Sequence, residues 1–166
     1  MSSWYDPYAA STTNNFAALS QTGGGPVNLI MGPWTHGARS ATHSGDIDLG
    51  AQSILDNNLD TDYNHLRLRF FDRWLKGIAN SWQDESSVKV FVMGGGSGRR
   101  NSRGRLDHGG QWREENEWPL ARANNTAFYL NFGGALSAGL PQSGRSSSEY
   151  LFDPNQPVPT IGGNIS

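Results

Sequence analysis

The order of apolar and polar positions divides the chain into a helix–strand–helix part and a later part with short strands. Residues 8–20 carry a weak apolar stripe that ends at a glycine-rich turn, which predicts a short helix. Residues 27–31 are an apolar run broken only by Asn28, typical of a strand covered on both faces, as in a parallel sheet. Residues 38–58 are polar and contain glycine, so a loop is predicted there.

The strongest helical pattern covers residues 60–78. Its apolar positions recur with helical spacing on one face: Leu66, Phe70, Phe71, Trp74, Leu75 and Ile78. Asp60 or Thr61 is the predicted N-cap, and Gly77 is the predicted residue that ends the helix. Because the face is wide and aromatic, we expect the helix to be docked on a large apolar surface.

From residue 88 onward the pattern changes to strands and turns. "VKVFVMG" predicts a strand over residues 88–93, and further strands are predicted in "TAFYLNF" and in "SEYLFDP". Short strands separated by turns are typical of a sandwich or jelly roll. The predicted fold class is therefore α/β followed by all-β, with the boundary in residues 79–87. Neither part has enough elements to close a core, so we expect a piece of a longer protein.

Composition narrows the function classes. The chain has 166 residues, 36% hydrophobic content, 21 glycines and eight prolines, which favours loops and strands over a helical bundle. A net charge of −2 argues against a nucleic-acid partner. The absence of cysteine excludes disulfides and thiolate catalysis. No apolar run of about 18 residues and no signal-peptide pattern is present, so no membrane partner is expected and the compartment stays unassigned.

A histidine shortly after the predicted strand at residues 27–31, His36 in "GPWTHG", is the first candidate for chemistry. Asp6 precedes His36 by one predicted helix and one predicted strand, which make a single crossover unit. Both side chains are therefore expected at the same edge of a parallel sheet. An aspartate before a histidine also matches the chain order Ser–Asp–His of α/β-hydrolases. The alternatives are an Asp-Pro turn for Asp6 and a turn-capping role for His36.

The nucleophile that such a pair needs is not recognisable. No G-x-S-x-G occurs in the chain, and Ser40, Ser44 and Ser97 lie in predicted polar loops. If the triad interpretation holds, the serine lies before Met1 in a longer protein. We then expect this chain by itself to show no esterase turnover.

Four other sets of polar or aromatic residues are candidates for binding or are expected at the surface. One stretch contains four residues that could bind a metal ion: His36, His43, Asp46 and Asp48. Their spacing matches no recognised zinc pattern, so a solvated loop is favoured, and no metal or cofactor is predicted. His65 and His108 are expected at the surface. The segment "GGGSGRRNSRGRLDHGG" carries four arginines that suit an anion, but it lacks the P-loop pattern and is predicted to be a surface loop. Trp112 and Trp118 suit sugar stacking, although packing at a domain interface is favoured.

Six segments in order and spacing carry a resemblance to a known family. "SWYD", "GPWTHG", "FFDRWLKG", "VKVFVMG", "QWREENEWPLA" and "FYL" resemble the cocaine esterase / X-prolyl dipeptidyl-peptidase-like serine hydrolases. The resemblance runs from Trp4 to about Gly163. The long glycine- and arginine-rich insert departs from the shortest members of the family.

The resemblance implies a fold, an activity and a site. Residues 1–84 would be the C-terminal part of an α/β-hydrolase catalytic domain, and residues 85–166 the N-terminal part of an X-Pro dipeptidyl-peptidase C-terminal-like jelly-roll domain. Asp6 and His36 match the aspartate and histidine of the triad. The substrate would be a small-molecule ester or amide, or a peptide, cleaved without a cofactor, and the full-length protein would be free to form oligomers. The alternative is a non-catalytic β-rich binding module.

Overall fold

The computed structural model describes residues 1–141, 147–159 and 161–163. The chain divides into two compact units. The first is Met1–Leu120 with the described residues 161–163, and the second is Ala121–Pro159. The described residues form a mixed structure of two α-helices and short strands.

The first unit begins with alternating strands and helices. Its elements are β1 (Ser2–Tyr5), α1 (Ala9–Ser20), β2 (Leu29–Thr35), β3 (His43–Ser44), β4 (Ile47–Asp48), α2 (Tyr63–Lys76), β5 (Val88–Met93), β6 (Leu106–Asp107) and β7 (Gly110–Glu115). Two 3₁₀ segments, Ala51–Ser53 and Ser81–Asp84, lie on either side of α2. The two predicted helices and the strand predicted at residues 27–31 are confirmed with shifted bounds, and the strand predicted at residues 88–93 is confirmed with the same bounds.

The main sheet has the strand order β1–β2–β5–β7. β2 pairs in parallel with β1 on one side and with β5 on the other, whereas β7 runs antiparallel to β5. The carboxyl ends of β1, β2 and β5 therefore share one edge of the sheet. Loops that follow these strands emerge at that edge.

The two helices cover opposite faces of this sheet because successive side chains of a strand alternate in direction. Leu29 and Met31 of β2 pack with Phe16 of α1. Ile30, between them, packs with Leu66 of α2. The apolar run that predicted a doubly covered strand is explained by these two helices.

A small three-stranded sheet, in the order β3–β4–β6, lies in the segment predicted to be loop and in the glycine- and arginine-rich segment. Ile47 and Leu49 are buried and pack with Phe91 of β5. The prediction of loop for residues 38–58 missed these two-residue strands. They have too few residues for a sequence period to be visible.

Helix α2 differs from the prediction at its start and along its apolar face. Its N-cap is Asp62, whose carboxylate accepts a hydrogen bond from the His65 N–H, rather than Asp60 or Thr61. Gly77 ends the helix in the left-handed conformation, as predicted. Leu66 and Phe70 pack toward the sheet. The rest of the expected docking face is exposed in the described structure: Phe71, Trp74, Leu75 and Ile78.

The Trp-rich segment after the insert is a strand of the main sheet. β7 pairs with β5 along its whole length, from Val88↔Glu115 to Met93↔Gly110. β5 itself pairs with β2, so the main sheet continues across residue 84. The sheet therefore shows no boundary at residue 84. The division into a hydrolase part, residues 1–84, and a jelly-roll part, residues 85–166, stays a prediction.

The second unit contains one described pair of strands. β8 (Tyr129–Leu130) pairs antiparallel with β9 (Leu136–Ser137), next to a short turn at Phe132–Gly134. The strand predicted in "SEYLFDP" is wrong for the described residues 147–159, which contain no strand. Its apolar side chains, Tyr150, Leu151 and Phe152, are 74–93% exposed, so little of the described structure packs on them. The turn-rich prediction before it falls partly on residues 142–146, outside the described residues.

Candidate active site

The sheet brings the loops of Asp6 and His36 together. Tyr5, the last residue of β1, pairs with Thr35, the last residue of β2. Asp6 and His36 are the next residues of their loops, so both leave the sheet at the same point of its carboxyl edge. This is the placement expected for working side chains in an α/β sheet.

The two side chains are in direct contact. Nδ1 of His36 lies 3.0 Å from Oδ2 of Asp6. The other carboxylate oxygen, Oδ1, accepts a hydrogen bond from the Tyr8 N–H at 2.8 Å. Asp6 therefore makes the Asp-Pro turn considered as an alternative and orients the imidazole at the same time, with a different oxygen for each.

The electrostatics of the pair define its protonation. Burial of the Asp6 carboxyl raises its pKa, but hydrogen bonds from the Tyr8 N–H and from His36 outweigh burial and leave the pKa below its ordinary value. Asp6 is thus ionised at neutral pH and can only accept hydrogen bonds. Nδ1 of His36 must then carry the proton, which leaves Nε2 of a neutral imidazole as the basic atom.

The free side of the imidazole is accessible. The Asp6 side chain is only 8% exposed, whereas that of His36 is 65% exposed. Nε2 has no hydrogen-bond partner among the described residues. The ring of Tyr8 contacts the imidazole edge-on, with 5.6 Å between ring centroids. The arrangement is an imidazole whose Nδ1 is held by a carboxylate and whose Nε2 can accept a proton.

The residues of "GPWTHG" explain how the His36 loop is fixed. Trp34 is buried, and its indole N–H donates to the Ser53 carbonyl at 2.8 Å. A Cβ on Gly32 would overlap the Trp34 ring, so only glycine allows the indole to lie back over the strand. Ser44, also buried, donates its hydroxyl to the Pro33 carbonyl at 3.0 Å. The strand end that presents His36 is therefore anchored on both sides.

A cleft of about 250 Å³ opens beside the pair. Asp6 and His36 line it together with Arg39 and Tyr63. The guanidinium carbon of Arg39 lies 3.8 Å from the centroid of the Tyr63 ring. The cleft thus combines an imidazole, a buried carboxylate and a cation that lies over an aromatic ring.

A second histidine–aspartate pair belongs to a structural ion network. His65, expected at the surface, is about half exposed and contacts the carboxylate of Asp60. Asp60 also binds Arg69 at 2.7 Å, and Arg69 binds Glu85. Glu85 in turn binds Lys89 of β5 at 2.7 Å. This series of ion pairs connects α2 to the sheet, and none of its members lines the cleft.

The four candidate metal ligands do not converge. His43 and Asp48 face each other across β3 and β4. The Asp48 carboxylate accepts hydrogen bonds from the Gly50 N–H at 2.9 Å and from the Asn101 amide at 2.6 Å. His36 is bound to Asp6 instead. In the described ranges no group of three metal-ligating side chains is found.

The remaining candidates have structural places. Arg99, Arg100 and Arg103 are exposed in the insert, as predicted for a surface loop. Trp112 packs against Trp34 and donates its indole N–H to the Gln52 carbonyl. Trp118 packs against the apolar cluster that contains Phe16 of α1. Ser97 donates its backbone N–H to the Asp107 carboxylate. His108, which was expected at the surface, is half-buried. None of the helices in the described part of the chain is long and apolar enough to cross a membrane.

Sequence reasoning did not identify three of the residues around the pair. Tyr8 contacts both members of the pair, and Arg39 and Tyr63 line the cleft. Tyr8 and Tyr63 lie at helix starts, and Arg39 lies in a polar loop. No motif or spacing marks any of them, because their proximity to the pair is created by the strand pairing and the packing of α2.

Comparison with known proteins adds the family. Residues 80–158 match the X-Pro dipeptidyl-peptidase C-terminal non-catalytic domain. Asp6 and His36 lie before this match. The chain is 30% identical over 172 aligned positions to the cocaine esterase of Rhodococcus sp. (strain MB1 Bresler), an alignment that covers 98% of this chain and 26% of the relative. The chain thus spans about a quarter of that relative's length. These two matches relate the chain to the cocaine esterase / X-prolyl dipeptidyl-peptidase-like family.

Proposed function

We propose that this chain is part of a serine hydrolase that cleaves esters or amides, including peptides, through an acyl-enzyme. Its contribution is the aspartate and histidine of the catalytic triad. The observation that carries the proposal is the contact of His36 Nδ1 with Asp6 Oδ2 at 3.0 Å, with Nε2 unpartnered among the described residues. An imidazole held in this tautomer is the base that a serine hydroxyl requires.

The mechanism has two acyl-transfer steps. Nε2 of His36 takes the proton of a serine hydroxyl supplied by residues outside this chain, and the serine oxygen attacks the substrate carbonyl. The imidazolium that forms then gives its proton to the leaving alcohol or amine. Water repeats the sequence to release the acid. Throughout, the ionised Asp6 holds the tautomer and stabilises the positive charge on the ring.

In this proposal strands β1 and β2 of the main sheet, with helices α1 and α2, belong to the end of an α/β-hydrolase domain. Residues 1–84 form its C-terminal part, and residues 85–166 begin a jelly-roll domain. The parallel pairing of β1 and β2 and the helices on both faces support the first assignment. The family match of residues 80–158 supports the second.

The test uses the full-length protein with 4-nitrophenyl esters, aminoacyl esters and Xaa-Pro anilides. His36→Ala should reduce kcat by about 10⁴-fold on whichever substrate is cleaved. His43→Ala is the matched control, because His43 lies in β3, outside the cleft residues, and should leave kcat unchanged. Turnover that survives His36→Ala at the wild-type rate would rule out the assignment.

A second candidate is a non-catalytic β-rich binding module. It is favoured by the description of the domain that matches residues 80–158 as non-catalytic. In that case the full-length protein would hydrolyse none of the three substrate classes. The 166-residue chain should show no turnover under either proposal, because no serine of the described chain contacts Nε2 of His36.

A further inference from the structure

Arg39 lies beside the proposed catalytic pair, with its guanidinium against an aromatic ring. It lines the same cleft as Asp6 and His36 and is about half buried. Its guanidinium stacks on the Tyr63 ring at 3.8 Å, and its carbonyl accepts a hydrogen bond from the Leu55 N–H at 2.9 Å. A cation over the face of an aromatic ring is attracted to it, and no hydrogen bond of the guanidinium is found among the described residues.

The charge of Arg39 is not compensated by any ion pair in the described chain. The carboxylate of Asp56, in the same loop region, accepts a hydrogen bond from the Ser40 hydroxyl at 2.9 Å. The Asp6 carboxylate is occupied by His36 and by the Tyr8 N–H. The other arginine near the same ring, Arg67, lies 5.3 Å from its centroid and adds positive charge nearby.

We propose that Arg39 determines specificity by binding a carboxylate group of the substrate. This inference rests on the proposed function and names the substrate class of the same site: esters or amides that carry a carboxylate near the bond that is cleaved. A planar guanidinium fork matches a carboxylate with two parallel hydrogen bonds. Partial burial strengthens such a pair over one formed in bulk water.

The negative charge of Asp6 does not contradict this assignment. Its side chain is 8% exposed, and both of its oxygens already accept hydrogen bonds. The charge that a substrate meets in the cleft is therefore that of Arg39 rather than that of Asp6. The carboxylate can lie in the acyl part or in the leaving group, and the experiment separates these two sources.

The experiment uses the full-length protein and two matched pairs of esters. For the acyl part, 4-nitrophenyl hydrogen adipate, whose chain is long enough to avoid attack of the free carboxylate on the ester, is compared with 4-nitrophenyl methyl adipate. For the leaving group, the butyrate ester of 4-hydroxybenzoate is compared with the butyrate ester of methyl 4-hydroxybenzoate. In at least one pair, Arg39→Gln should lower the anionic-to-neutral ratio of kcat/KM by about 10- to 100-fold. The loss should be in KM for the anionic ester and should be much larger than any change for the neutral ester.

Three controls make the result specific. Arg67→Gln removes a cation near the same ring that does not line the cleft, so the ratio should change far less than in Arg39→Gln. Arg39→Lys should restore part of the preference, since it keeps the charge but not the fork. In the unmodified protein the preference should weaken as NaCl is raised, which tests the idea even if Arg39→Gln folds poorly.

The two proposals fail in different ways. Equal anionic-to-neutral ratios in wild type and Arg39→Gln for both pairs, with normal cleavage of the neutral esters, would overturn the role of Arg39 alone. A salt-independent ratio in the wild type would also overturn it. If none of the four esters shows turnover that depends on His36, the proposed function itself fails.

Discussion

Nδ1 of His36 lies 3.0 Å from Oδ2 of Asp6, and this contact joins two loops that are 30 positions apart in the chain. Both loops start where β1 and β2 end as a parallel pair, at Tyr5 and Thr35. The geometry of the pair is therefore set by the sheet and not by the loops themselves. Changes to the sheet edge should affect catalysis even where they do not touch either side chain.

Asp6→Asn tests the orienting role of the carboxylate. An amide at this position can donate to Nδ1 and stabilise the wrong tautomer, and it cannot stabilise the imidazolium. We expect kcat of the full-length protein to fall by about 10⁴-fold while the fold is retained. Asp56→Asn, in a neighbouring loop, is the matched control and should leave kcat near the wild-type value. Comparable kcat for the two variants would contradict the orienting role.

Gly32→Ala tests the packing that presents His36. The added Cβ would overlap the Trp34 ring, so the indole or the strand must shift. We expect a loss of about 1–3 kcal/mol in the free energy of unfolding, measured by urea denaturation, and a lower kcat. Gly24→Ala is the control, because its Cβ would meet only the Thr22 hydroxyl at an ordinary 3.5 Å. An equally stable and active Gly32→Ala protein would show that the loop is held by other contacts.

Arg69→Met tests the ion network between α2 and the sheet. Arg69 binds both Asp60 and Glu85, whose side chains are 4% and 19% exposed, so its removal leaves two poorly solvated carboxylates. We expect a loss of about 3 kcal/mol in the free energy of unfolding. Lys76→Met removes a cation that is 60% exposed in a pair with Asp72, and it should cost about 0.5 kcal/mol or less. Similar losses for both variants would mean that the network adds little.

Acid should destabilise the fold through the same carboxylates. Burial raises the pKa of Asp60 and of Glu85, but hydrogen bonds to Arg69, His65 and Lys89 outweigh burial and lower both pKa values below their ordinary values of 3.8 and 4.5. A carboxyl group whose pKa is lower in the folded than in the unfolded protein stabilises the fold, and this stabilisation is complete at pH values above the unfolded-state pKa. It is lost as the pH falls through the folded-state pKa. The melting temperature should therefore decrease from about pH 5 to about pH 3.

The variant Asp60→Asn separates this network from the other carboxylates. It lacks one group of lowered pKa, so its melting temperature should start lower and fall less steeply with acidification than that of the wild type. Parallel curves for the two proteins would show that Asp60 does not contribute to the acid sensitivity. Asp72→Asn, at a more exposed position, provides the comparison.

Local patterns predicted the elements that depend on local chemistry. The apolar run of β2, the helical period of α2 and the left-handed Gly77 were visible because each follows from a few neighbouring residues. The strand predicted in "SEYLFDP" was wrong, since a strand also needs a partner, and Leu151 is 93% exposed. The N-cap was misplaced because Asp60 is used by Arg69 and His65, which only the folded chain brings to it.

By itself the sequence determined the order of helix and strand and the presence of an aspartate and a histidine at successive strand ends. Strand period, helix period and turn chemistry act over a few residues, and they can be recognised in the printed chain. Tertiary structure alone decided the contact between Asp6 and His36, the place of Tyr8 and Arg39 around it, and the addition of β7 to the main sheet. These relationships depend on which strands pair and in which register, and that choice is made by long-range packing rather than by neighbouring residues.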